Sequence, residues 1–242
     1  MRRREFVIGL GAAAAGAGAD EKPVLRVAAA SNLTAIAPRL GEAFEKLMGV
    51  RCVFSFGSTA QLARQIEQGA PFDVFAAADL VHVEELVGKG FLVRSTMAVY
   101  ATGVLAVWFP KRAGKRVEDV AGPGVRVIAM ARPELAPYGA AARETLENLG
   151  LWRRVQARIV YAGSVSMAKQ YGSTGNADAV FLPAALALRE SGVVMVAETL
   201  HKPIGQAVGV VAASGMKDAG GRFADFLSRG AGHALLVANG YR

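Results

Sequence analysis

The stretch LRVAAASNLT, residues 25–34, decides how the chain is read. A short apolar run, Leu25, Val27 and three alanines, stops at a small hydroxyl residue, Ser31, and gives way to a helical spacing. A run of this kind suits a strand buried on both faces, as in a parallel sheet covered by helices. Ser31 then falls where a helix N-cap is expected, so its hydroxyl and the N–H groups that follow point out of the carboxyl edge of the sheet. That is a geometry suited to an anion.

Three further segments repeat the design. VRCVFSF (50–56) passes through Gly57, Ser58 and Thr59 into AQLARQIEQG, and VRVIAM (125–130) passes through Ala136, Pro137, Tyr138 and Gly139 into AAARETLENLG. ARIVYA (157–162) passes through Gly163, Ser164 and Val165 into SMAKQY. Two of the four turns lie in each half of the chain, which predicts two lobes presenting N–H groups to a shared cleft.

The rest of the chain agrees with this plan. Leu33, Ile36, Leu40, Phe44 and Leu47 recur at helical spacing up to Gly49, and Pro38 predicts that the helix restarts there, leaving 31–37 looser. Phe72 to Ala78 reads as a strand, followed by a helix capped by Asp79. Gly103 to Pro110 reads as a strand leaving the first lobe, DAVFLP and VVMVAE as strands of the second, and Gln206 to Ala213 as a strand returning. Two helices follow, near 219–228 and 232–238. Strands and helices alternating in this way indicate βαβ units, and two crossovers would let the lobes hinge. The expected units are 20–103 with 207–242, and 104–206.

The 242 residues are 52% hydrophobic and 20% charged, which excludes a disordered chain. Residues 1–19 read as an export signal: Arg2, Arg3 and Arg4, an apolar middle, and Ala17-Gly18-Ala19 as a cleavage motif. Arg3-Arg4-Glu5-Phe6-Val7 resembles a twin-arginine pattern and equally suits an ordinary basic start. The lone Cys52 lies in an apolar strand, as a packing residue would, and no cysteine marks the cleavage point for lipid attachment. A free periplasmic monomer is expected. The formal charge is +8, or +6 without the signal's three arginines and one glutamate. Basic residues are scattered and the KRAGKR run at 111–116 has no interleaved aromatics, so nucleic acid is not an expected partner.

AAASNLT, SFGSTAQLARQIEQGAPFDVFAAAD, PELAPYGAAARETLENLG, GSVSMAKQYGSTGNADAVF and the terminal ANGY resemble the periplasmic molybdate-binding proteins of ABC transporters, the ModA family. The resemblance spans about residues 24–241. It implies an α/β, two-lobed class II binding-protein fold with two mainly parallel sheets hinged by two crossover strands. It also implies a molybdate or tungstate ligand, no cofactor and a membrane permease as partner. Matched residue by residue, the ligand is held by Ser31, by Ser58 or Thr59, and by backbone N–H groups of Tyr138 and Val165. A tyrosine contact found in some members aligns with Leu182 or Pro183, which have no side-chain donor.

The residues support that ligand class independently. A deprotonated tetrahedral dianion accepts hydrogen bonds only, so neutral N–H and O–H donors complement it without a buried cation. Monoprotonated phosphate needs an acceptor, and no acidic residue lies in the serine turns; Glu134 is the only one near the fourth. Sulfate shares the charge and shape and differs in size. Capping alone would also explain Ser31 and Thr59, and a turn position alone would explain Tyr138. A hydrolase using the same cleft is the rival reading, but His82, His201 and His233 are far from the serine turns in sequence and no nucleophile-elbow or zinc motif occurs.

Overall fold

The computed structural model describes residues 22–111 and 116–242; residues 1–19, expected to be an export signal, and most of the KRAGKR run lie outside them. The first part of the chain forms β1 (Val24–Ala30), α1 (Ala37–Met48), β2 (Arg51–Gly57), α2 (Thr59–Glu67), β3 (Val74–Ala76), α3 (Val81–Gly88) and β4 (Ala98–Gly103). Next come β5 (Leu105–Trp108), β6 (Ile128–Ala131), α4 (Pro137–Asn148), α5 (Trp152–Val155), β7 (Ile159–Ala162), α6 (Val165–Ser173), β8 (Ala179–Pro183), α7 (Ala184–Ala187) and β9 (Val193–Met195). The chain closes with β10 (Ile204–Val210), α8 (Lys217–Arg229) and α9 (Ala231–Val237).

These strands form two five-stranded sheets, ordered β2-β1-β3-β10-β4 and β7-β6-β8-β5-β9. Each is mixed. β1 runs parallel to β2 and β3, and β6 parallel to β7 and β8, while β10 and β5 pair antiparallel with both neighbours. The parallel portion of each sheet carries the predicted turns. In both, the first strand sits between the two that follow it by crossover, and the crevice outside the carboxyl ends at such a reversal is where open α/β sheets bind ligands.

The sheets have separate cores. Phe44 packs edge-on against Phe223 and Phe226 beneath the first sheet, with Phe44 and Phe223 centroids 5.0 Å apart. Ile128, Met130, Phe181 and Leu146 build the core of the second. Ala30 and Ala78, at the carboxyl ends of β1 and β3, belong to this second core, so the lobes touch at the predicted site.

Several expectations change in detail. The α1 helix does restart with Pro38 in its first turn, after a 3-10 turn over Ser31–Ala35. Ser31 is not an N-cap: it is the first residue of that turn, Ala30 holds the cap position, and no side chain caps it. Ser58, rather than Thr59, caps α2. Asp79 lies one residue before the α3 cap and accepts the His82 N–H at 2.9 Å. β2 is an edge strand with Val53 and Phe56 exposed, so its apolar run does not mark burial. Cys52 on it is half-buried, and desolvation, aided by the Glu45 charge, pushes its thiol up to about 12, which keeps it protonated and unreactive.

Candidate functional site

Every predicted site residue borders one small cavity between the lobes. Ser31 and Asn32 follow β1, Ser58 and Thr59 follow β2, and Ala78 follows β3; Pro137 and Tyr138 open α4 and Val165 opens α6 on the facing side. About 10 Å³ inside is open to the centre of a water-sized sphere, on the order of what one water needs. None of the lining residues carries a charge. Glu134, Glu144 and the Asp79–His82 pair instead line a neighbouring cleft of about 500 Å³. Leu182 and Pro183 are buried in β8 and do not reach the small cavity.

The donors come from chain geometry. First-turn N–H groups have no acceptor within their own helix; Thr59 is the first residue of α2, Tyr138 the second of α4 and Val165 the first of α6. Pro137 supplies no N–H but starts α4 without strain. The two hydroxyls at the β2 turn differ chemically. Ser58 Oγ donates to Gln61 Oε1 at 2.9 Å and accepts the Gln61 N–H at 3.4 Å, so its hydrogen is committed to the cap. Thr59 Oγ1 accepts the Ala78 N–H at 3.1 Å, which leaves its own hydrogen to donate.

Tyr138 does more than hold a turn. Its phenol oxygen, buried, accepts a hydrogen bond from Gln206 Nε2 at 2.8 Å, joining α4, which packs on the second sheet, to β10 of the first sheet. Gln206 Oε1 also meets Tyr100 at 2.8 Å and Asn32 Nδ2 at 2.9 Å, and the Tyr241 hydroxyl donates to the Asn32 carbonyl at 2.9 Å. Burial holds the Tyr138 and Tyr100 phenols well above their ordinary range, so both stay neutral. Room for the phenol exists because residue 103 is glycine; a Cβ there would overlap the Tyr138 hydroxyl and lie 2.7 Å from Gln206 Nε2.

Sequence reasoning missed Asn32 and Gln206. Asn32, the second residue of its turn, has the same first-turn N–H signal as Val165 and could have been found by it. Gln206 gives no such signal, because its partners are distant in sequence.

The histidines form no catalytic set. His82 Nδ1 lies 2.8 Å from Asp79 Oδ2, His201 Nδ1 is 2.7 Å from the Lys202 carbonyl, and His233 Nδ1 is 3.1 Å from the Tyr100 carbonyl. Among the described residues no cluster of three metal-ligating side chains occurs. The hydrogen bond to Asp79 raises the His82 pKa above 6.5, ahead of the opposing effect of burial. The folded value exceeds the unfolded one, so the pair's stabilisation is complete below about pH 6.5 and is lost as pH rises through the raised value. Proton NMR titration of the His82 ring should give a midpoint above that of a free histidine, and Asp79→Asn should lower it. An unchanged midpoint in the variant would show that Asp79 is not the cause.

Comparison with known proteins identifies the family and the fold. Residues 25–242 match the family model for bacterial extracellular solute-binding proteins. The molybdate-binding protein ModA of Rhodobacter capsulatus is 34% identical over 220 residues, covering 88% of this chain and 86% of that protein. ModA of Azotobacter vinelandii is 36% identical over 186 residues, covering 75% and 72%. The solved structure of the Azotobacter vinelandii periplasmic molybdate-binding protein superposes with a TM-score of 0.86 at 31% identity, covering 90% of this chain and 98% of that one. The chain belongs to the bacterial extracellular solute-binding proteins and, within them, to the ModA family.

Proposed function

We propose that this protein captures molybdate in the periplasm and delivers it to the membrane permease of an ABC transporter, without catalysing a reaction. The observation that carries the reading is the charge-free, donor-lined cavity between the lobes. An acceptor-only dianion gains from each N–H and O–H there, whereas a protonated phosphate would find no carboxylate to receive its hydrogen. Ser31 and the Thr59 hydroxyl hold the oxyanion from the first lobe, with the N–H groups of Tyr138 and Val165 from the second; Ser58 supports Thr59 by capping α2. Tungstate, of the same charge and shape, is bound as well. The protein acts as a monomer after removal of residues 1–19, and the units 20–103 with 207–242 and 104–206 part to admit the ligand.

Calorimetric titration of the mature protein with molybdate, tungstate, sulfate and phosphate tests this. Molybdate and tungstate should bind far more tightly than phosphate, and Ser31→Ala should weaken molybdate by roughly ten- to a hundredfold, the loss of one donor to a charged ligand. Phosphate binding as tight as molybdate, or a Ser31→Ala variant equal to the parent, would sink the reading.

A further inference from the structure

Ser166, the second residue of α6, stands beside the site without bordering the cavity, and its hydroxyl crosses between the lobes. Ser166 Oγ donates to the Ser31 carbonyl at 2.9 Å. The Thr34 hydroxyl donates to the same carbonyl at 2.8 Å, and the two hydroxyl oxygens are 3.2 Å apart. A carbonyl oxygen has two lone pairs, so it accepts both hydrogens at once. Thr34 belongs to the same short turn as Ser31, and its bond exists whatever the second lobe does. The Ser166 bond exists only while the lobes are together.

The carbonyl of Ser31 and the N–H of Asn32 belong to one peptide unit. The described residues contain no cis peptide bond, so this carbonyl and N–H point in opposite directions. Two donors pinning the carbonyl therefore aim the Asn32 N–H the other way, and Asn32 borders the cavity. A carbonyl that accepts hydrogen bonds also polarises its peptide, making the N–H a stronger donor.

We infer that Ser166 is a positioning residue for anion binding: on closure its hydroxyl completes the pinning of the Ser31 carbonyl and so orients and strengthens the Asn32 N–H toward the ligand. This rests on the proposed oxyanion site. Anion capture and lobe closure are thereby coupled, since Val165, bound to the anion through its N–H, is the immediate neighbour of Ser166. In the open form water replaces the lost bond, and the ligand-free protein does not depend on it.

The test compares the parent, Ser166→Ala, Ser166→Thr and Ser31→Ala by calorimetric titration with molybdate and by thermal unfolding without ligand. Ser166→Ala should weaken molybdate about tenfold, the equivalent of one modest hydrogen bond, with a ligand-free Tm equal to the parent's. Ser166→Thr, which keeps the hydroxyl, should restore binding. Parent-like binding by Ser166→Ala overturns the inference, as does a lowered ligand-free Tm, which would make the role structural, or failure of threonine to rescue. If Ser166→Ala binds normally while Ser31→Ala is weak, this inference alone fails. If Ser31→Ala also binds normally, the proposed site itself is misplaced.

Discussion

Replacing Ser31 with aspartate is expected to abolish molybdate binding in a protein that still folds. Ser31 is 5% exposed and borders a cavity without a positive side chain. A carboxylate there would face a dianion with little water between them, and a charge placed in such a setting is strongly disfavoured. The loss should be at least about a thousandfold, on the order of 4 kcal/mol. Ser31→Asn, similar in size and neutral, separates charge from bulk: it should bind better than Ser31→Asp by at least about tenfold. Calorimetry of both variants, with circular dichroism to confirm folding, decides the matter. Equal losses in the two would mean that steric filling, and not charge, governs the site.

The second large effect is expected at Gly139. This residue sits in the first turn of α4 against the end of β6, where an added Cβ would overlap the Ala131 carbonyl oxygen and lie 2.9 Å from its carbon. These are backbone atoms, which cannot rotate away as a side-chain tip would. Gly139→Ala must displace the start of α4, and overpacking of this kind costs about 1–3 kcal/mol or more. For a chain of this size that is a fall in Tm of about 2–12 °C. The displaced turn carries Tyr138, so its N–H should leave the cavity and molybdate affinity should fall as well. Thermal unfolding and titration of the variant test both parts; parent values for Tm and affinity would mean that the turn does not set the donor position. Gly163→Ala is the control, because a Cβ there meets only the Met167 sulfur at 3.5 Å.

The strand-turn-helix units at 25–34, 50–62 and 157–171 were legible in the sequence because each depends on local periodicity and on a short polar turn. So was the restart of α1 at Pro38, since proline imposes its own φ and lacks an N–H wherever it stands. The segment at 125–146 was readable in outline, although β6 begins at Ile128, three residues later than Val125. β4 escaped notice: Ala98 to Gly103 is short, and its exposed and buried positions do not alternate cleanly. Its place at the sheet edge depends on pairing with β10, about a hundred residues away.

Local pattern along the chain is enough to say which segments end in unpaired N–H groups, because a helix start leaves its first donors free whatever surrounds it. Tertiary structure decided what those segments face. It placed β2 on an edge and made β10 an antiparallel insertion. It also committed the Ser58 hydrogen to Gln61, leaving that of Thr59 to donate. The Tyr138 phenol, which sequence reading treats as incidental to a turn, is held by Gln206 because β10 and α4 meet beside Gly103. Ser166 reaches Ser31 across 135 residues for the same reason. Hydrogen-bond partners distant along the chain leave no periodic trace in sequence; only packing of the two lobes brings them within 3 Å.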